Sequence, residues 1–174
     1  DALGGLLQPW SIHRSDSLPQ VVHDINKTSN NLGARNLLLS LSQGFPLKAA
    51  TLAGAQSRVH RWLQAQGLAE GDIQIDNGSG LSRTERISAA SMAALLQAAW
   101  RSSVMPEFMA SLPIASLDGT MRRRLKGEGV SGQAHVKTGL LSDARAMAGY
   151  VLDRRGRRTR RPAAPGRRGT CRAR

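Results

Sequence analysis

Ala134-His135-Val136-Lys137-Thr138 and Arg145-Ala146-Met147-Ala148-Gly149-Tyr150-Val151-Leu152 are the stretches whose reading decides the fold. Both read as strands. About five residues join them, so they form an antiparallel hairpin. Gly127 to Gly132, just upstream, reads as a flexible connection. It also fits the G-x-G-x-x-G pattern, but a dinucleotide site needs a strand before it and a helix after it, and here a strand follows.

Further upstream the pattern is helical. Leu18-Pro19 opens a short helix with Val21, Val22 and Ile25 on one face, and Pro19 suits its first turn. Lys27 to Asn31 is a polar break. Leu32, Leu37, Leu38, Leu39 and Leu41 read as a buried helix from Leu32 to Ser42, ended by Gly44 and Pro46. A longer helix spans about Ala49 to Gln66, with Leu52, Val59, Trp62 and Leu63 as its inner stripe and Gly67 as C-cap. Ile73-Gln74-Ile75 alternates like a short strand, and Asp76 to Gly80 must turn sharply. Ser88 or Ser91 caps a helix running to about Trp100, and Pro106 to Pro113 is a short helix or loop. Helices followed by a hairpin indicate a mixed α/β (α+β) domain, with helices packed on an antiparallel sheet.

The 174 residues carry a formal charge of +13, but the excess is local. Residues 154–174 hold ten Arg and no acid, which leaves +3 for residues 1–153. Eighteen of those 21 residues are Arg, Pro, Ala or Gly, the mixture that a GC-rich gene yields when read out of frame. The competing reading is a genuine basic arm that binds nucleic acid by counterion release. On either reading the stretch lacks the large aliphatic residues that would fold it, and it is expected to be a disordered tail. The nearly balanced body gives no reason to expect a nucleic-acid partner.

Aromatic residues are 3% of the chain, so the core must be built mainly from Leu, Ala, Val, Ile and Met. No stretch approaches the roughly 18 apolar residues of a membrane span. No basic-then-apolar leader opens the chain, so no signal peptide is read in it. Cys171 is the only cysteine, so no internal disulfide forms. His13, His23, His60 and His135 lack ligand-like spacing, so no metal site is expected.

Three segments carry candidate chemistry: Ser29-Asn30-Asn31 between two helices, Asp76 to Arg83 (D-N-G-S-G-L-S-R), and Lys137-Thr138-Gly139 at the end of a strand. Each alone is a weak signal. Ser29 and Asn31 suit capping of the helix near Leu32, and Lys137-Thr138-Gly139 suits an exposed hairpin entry. Their chemistry is nevertheless that of acyl transfer, which needs a nucleophile, a base, a proton relay and a carboxylate anchor. A Ser29 hydroxyl both donates and accepts, as a relay must. Asn31 can donate to a substrate carbonyl and accept from a lysine. Lys137 is a point charge suited to a carboxylate, Thr138 adds a hydroxyl, and Gly139 lets a substrate backbone approach the strand edge.

Taken in order, these segments resemble the penicillin-binding D-Ala-D-Ala carboxypeptidase/endopeptidase family of the low-molecular-mass class C type. That family uses S-x-x-K, S-x-N and K-T-G elements. Lys27 to Leu32 resembles its S-x-N segment, and Gly78 to Arg83 its G-S-G-L-S segment. Leu112-Pro113 through Asp118-Gly119-Thr120-Met121 resembles L-P-x-A-x-x-D-G-T, and Lys137-Thr138-Gly139 with Ala148-Gly149-Tyr150 resembles K-T-G and the strand after it. Leu140 stands where many members have Thr.

The resemblance implies catalytic roles for Ser29, Asn31 and Lys137 and substrate binding by Thr138 and Gly139. It implies peptidoglycan stem peptides ending in D-Ala-D-Ala as substrate, β-lactam antibiotics as inhibitors, a periplasmic or cell-envelope location, and no cofactor. Residues 1–153 would be the C-terminal portion of a catalytic domain. No serine of the chain has Lys three residues later, so the S-x-x-K nucleophile is absent and this chain alone is expected to be inactive. Ser29 in particular has no lysine on its helix face, since Lys27 is two residues away. The rival readings are a related serine β-lactamase fragment, which the G-S-G-L-S and D-G-T segments oppose, a nucleic-acid binder acting through the tail, and a non-catalytic binder of wall peptides.

Overall fold

The computed structural model describes residues 10–68, 71–127, 129–142, 144–153 and 158–160. Among the described residues five α-helices, and a 3-10 turn at Gly119–Met121, precede the main sheet. Helix α1 (Leu18–Thr28) starts at a proline, and its chain turns out of the helix at Ser29, which is left-handed at φ 56°. Helix α2 (Asn31–Ser40) follows at once because the Asn30 side chain caps it, accepting from Gly33 N at 2.8 Å. The cap is therefore Asn30, and neither Ser29 nor Asn31 is spent on that role. Helix α3 (Leu52–Ala65) is capped by Thr51, α4 (Ala89–Arg101) by Ser88, and α5 (Met105–Ser111) opens on Pro106.

Two strands that the sequence only half shows, β1 (Ile73–Gln74) and β2 (Arg86–Ile87), pair antiparallel and close the Asp76–Glu85 loop. The hairpin is β3 (Ala134–Leu140) with β4 (Arg145–Leu152), paired over seven rungs from Ala134↔Val151 to Leu140↔Arg145. A third strand, β5 (Arg158–Arg160), pairs with β4 through Tyr150↔Arg160, Val151↔Thr159 and Leu152↔Arg158. This corrects the expectation that order ends near Arg154 and leaves β4 with a bare edge. Backbone pairing with β4 needs no apolar side chains, so the Arg-rich composition did not reveal it. The rest of the expected tail, 154–157 and 161–174, lies outside the described residues.

Strand alternation divides the core in two. On one face of the hairpin Ala134 and Val136 pack with Ala115, Met121, Met147 and Val151. On the other face Tyr150 and Ala148 pack with Leu96, Leu112, Met92, Trp100, Phe108 and Met109 from α4, α5 and the chain after α5. Tyr150 is fully buried. Its hydroxyl donates to Leu96 O at 2.7 Å, and Trp100 and Phe108 lie 5.4 and 6.4 Å from its ring centre. Lys137 has the same parity as His135, whose cross-strand partner is Tyr150, so it faces the helices.

Three burial expectations fail. Leu41, the C-cap of α2, is 40% exposed. Leu32 is 68% exposed because α2 buries only the side centred on Leu38, and Leu32 lies about 120° around the helix from it. Trp62, near the end of α3, is 48% exposed, and the inner residues of that helix are Ala55 and Leu63.

Candidate active site

The left-handed Ser29 turn between α1 and α2 meets the middle of β3. Lys137 Nζ donates to Ser29 Oγ at 2.8 Å, joining residues 108 apart in sequence, and to the carbonyl of its neighbour Thr138 at 3.1 Å. Half-burial disfavours the Lys137 charge and holds its ammonium below the usual lysine range. The family resemblance gives both residues a part in one site, and no lysine of the Ser29 helix is involved. The lysine beside Ser29 is brought by the fold from β3.

Asn31 sits half-buried at the start of α2, and its side-chain amide donates to the carbonyl of Ser79. That carbonyl is presented by a braced loop. The Glu85 carboxylate accepts from Gly78 N at 2.8 Å and Asp76 N at 3.3 Å, and Asn77 Oδ1 accepts from Ser79 N at 2.9 Å. The bond to Ser79 orients the Asn31 amide, whose carbonyl oxygen is an acceptor.

Thr138 and Gly139 continue β3. Gly139 is exposed, and a methyl added there would meet only Ala146 Cβ, at 3.9 Å. Nothing in the fold requires glycine at that place. On its outer side β3 is covered at its start, where Ala115 N donates to Ala134 O and Val136 N to Pro113 O, each at 2.8 Å. Among the described residues no backbone partner covers that edge from Lys137 to Leu140. The structure thus brings Ser29 and Lys137 into direct contact. It ties Asn31 to Ser79 rather than to Lys137, and it sets Thr138 and Gly139 on an open strand edge.

Sequence reasoning missed the groups that hold this arrangement. Lys27, read as part of a polar break, is buried and donates to Leu112 O at 2.7 Å and to Asp118 Oδ2 at 2.6 Å. Asp118 Oδ1 also accepts from Ile114 N at 2.7 Å. Burial opposes the Asp118 charge, but the Lys27 and Ile114 hydrogen bonds and the Lys27 charge outweigh it and hold the carboxyl below its ordinary range. The signal in the sequence was a lone lysine closing an amphipathic helix, too common a pattern to single out. Among the described residues no cluster of His, Cys, Asp and Glu is disposed to hold a metal, and no helix is long and apolar enough to cross a membrane.

The profile of the D-Ala-D-Ala carboxypeptidase 3 (S13) family matches residues 8–160. The chain belongs to this family. Among its relatives, a D-alanyl-D-alanine carboxypeptidase of Actinomadura sp. (strain R39) is 30% identical over 160 residues, covering 86% of this chain and 30% of that protein. The D-alanyl-D-alanine carboxypeptidase DacB of Haemophilus influenzae is 28% identical over 146 residues, covering 83% and 30%. The crystal structure of penicillin binding protein 4 (dacB) from H. influenzae, complexed with a β-lactam, superposes with a TM-score of 0.76 at 28% identity. It covers 84% of this chain and 34% of that one. A predatory endopeptidase of Bdellovibrio bacteriovorus shares the fold, with a TM-score of 0.64 at 21% identity and coverage of 86% and 40%. The mixed fold of helices on an antiparallel sheet is that of the penicillin-binding proteins. The chain spans about 30% of the length of the curated relatives it matches. The family match runs through β5, so residues up to 160 read as family sequence.

Proposed function

We propose that this chain is the part of a peptidoglycan D-Ala-D-Ala carboxypeptidase/endopeptidase domain that supplies the proton relay and the carboxylate anchor. The observation that carries the reading is the 2.8 Å contact between Lys137 Nζ and Ser29 Oγ. As acceptor of the lysine N–H, the Ser29 oxygen keeps its own proton free to donate. In the proposed reaction a serine of an S-x-x-K element, contributed by sequence this chain does not contain, attacks the D-Ala-D-Ala carbonyl as the lysine of that element takes its proton. That proton passes on to Ser29 as Ser29 gives its own to the leaving D-Ala nitrogen, and water then hydrolyses the ester. Lys137 faces the terminal carboxylate, and Asn31, with Ser79 holding its amide, offers its oxygen to the S-x-x-K lysine. The open edge of β3 from Lys137 to Leu140 receives the extended stem peptide by strand addition, with Gly139 giving the close approach. β-Lactams acylate the same serine, and a periplasmic or cell-envelope location follows from the substrate.

On this reading the 174 residues alone do not form an acyl-enzyme. Lys137 stands beside Ser29, but in this reading it is the carboxylate anchor, and no serine of the chain, Ser29 included, has the lysine three residues later that serves as base in an S-x-x-K element. A serine without a base is a poor nucleophile. The test is incubation with fluorescent penicillin, denaturation and gel detection. The expected result is no covalent band from the chain alone, and labelling on the S-x-x-K serine of a longer protein, lost with Lys137→Ala. A band from the chain alone that vanishes in Ser29→Ala makes Ser29 itself the nucleophile and overturns the assignment.

A further inference from the structure

We propose that Lys27 and Asp118 are positioning residues that set the meeting of Ser29 with Lys137. The inference rests on the reading of that pair as site residues. The segment from Leu112 to Gly119 is fastened on two sides. Toward the sheet, Pro113 O and Ala115 N bond to Val136 and Ala134, and Ile114 bridges to His135, so the segment is locked to β3 one to three residues before Lys137. Toward the helices, the Lys27 ammonium reaches Leu112 O and Asp118 at 2.7 and 2.6 Å, two residues before Ser29. Asp118 cannot drift, because Ile114 N holds its other oxygen at 2.7 Å.

Gly119 completes the seat. It is left-handed at φ 52°, and an added Cβ would stand 2.9 Å from the carbonyl oxygen of Lys27. The backbone of this turn therefore lies directly against the end of α1. One rigid segment registers both halves of the pair, and the Lys27–Asp118 bond is its link to the Ser29 side.

An ion pair is a poor choice if cohesion alone is needed. Lys27 is buried but the Asp118 side chain is 38% exposed, so the pair adds only modest cohesion, whereas its directional bonds fix register. This gives a test that separates positioning from stability. In Lys27→Met, Asp118→Asn and the double variant Lys27→Met/Asp118→Leu of the full chain, amide exchange is measured at Asn30, whose N–H bonds to Ile25 O at 3.0 Å across the Ser29 turn. The Lys137 ammonium is titrated in parallel by NMR of the methylated lysines. Asn26→Ala, which removes the 2.8 Å bond to Ser111 in the neighbouring contact of α1 with α5, is the control.

Asn30 is expected to exchange at least 10-fold faster than global opening accounts for in the three clamp variants and not in the control. Lys137 is expected to titrate higher in the same three, as Ser29 leaves it and water enters. The double variant is expected to keep most of its stability and still show both changes. If Lys27→Met does not fold, the milder Asp118→Asn, which keeps an acceptor for Ile114 N, decides alone. Wild-type exchange at Asn30 and wild-type titration of Lys137 in the variants that fold would overturn the proposal. A wrong site assignment would show instead as intact penicillin labelling in a longer protein carrying Ser29→Ala or Lys137→Ala, with the exchange results unchanged.

Discussion

Gly139 and Gly149 lie ten residues apart in one hairpin, and adding a methyl group to each should have opposite consequences. At Gly149, φ is 154°, and an added Cβ would stand 2.1 Å from the carbonyl oxygen of His135 and 2.8 Å from Val136 Cα. Both obstacles are backbone, so no side chain can swing aside. Alanine there must push β3 from β4 at the Val136↔Gly149 rung and at its neighbour His135↔Tyr150. Two ladder hydrogen bonds go at about 1 kcal/mol each. Loosened packing of Tyr150 and Val136 adds about 2 kcal/mol, and backbone strain about 1 kcal/mol more. The total, about 5 kcal/mol, approaches the whole stability of an ordinary domain. At Gly139 the added methyl would have 3.9 Å of clearance from Ala146 Cβ, and replacing glycine in a strand gains about 0.5 kcal/mol. Urea unfolding followed by the fluorescence of Trp100, whose ring lies 5.4 Å from Tyr150, reads both variants. Gly149→Ala should be largely unfolded without denaturant, and Gly139→Ala should match or exceed wild type. In a longer protein Gly139→Ala should also slow penicillin acylation, because the methyl occupies the edge where substrate adds. A Gly149→Ala protein within 1 kcal/mol of wild type would refute the account of the hairpin.

Other expectations follow from single contacts. Tyr150→Phe should cost about 1 kcal/mol by removing the donor to Leu96 O, and Tyr150→Ala about 4 kcal/mol, both read from urea midpoints. Asn30→Ala should cost about 1 kcal/mol as a lost N-cap, and calorimetry should show it as a lower midpoint. Asp118 is held below the usual 3.8, so its stabilising contribution is complete above that value and fades as pH falls below it. Urea midpoints from pH 6 to 2 should show a shallower acid loss in Asp118→Asn. Lys137 is held below the usual 10.5, so the unfolded chain keeps a proton that the folded one releases, and stability should rise as pH climbs toward that value. The rise should vanish in Lys137→Met.

The hairpin was legible because alternation and a short connection are local signals, and β4 runs from Arg145 to Leu152 as its pattern indicates. The helix starts at Ala89 and Asn31 were nearly right because Ser and Asn announce caps, although the cap before α2 is Asn30 rather than its neighbours. The contact of Ser29 with Lys137 came only through family resemblance, since no period connects residues that far apart. Lys27 was hidden because its burial depends on Asp118 and on a carbonyl at Leu112, and neither can be inferred from the helix in which Lys27 lies. Residues 158–160 were misjudged because composition reports on side chains, while β5 is held by its main chain.

The long span between Ser29 and Lys137 has a consequence for synthesis. The two are joined across 108 residues, and Lys27 waits 85 residues for Leu112 and 91 for Asp118. At about 5–20 residues per second on the ribosome, α1 emerges roughly 5–20 s before its charge partner or β3 exists. Through that interval the Lys27 ammonium remains in water, and the apolar stripe of α1 has no α5 to cover it. The nascent chain must keep this helix from other partners until those segments are made, so misassociation competes with assembly of the Ser29–Lys137 contact during synthesis.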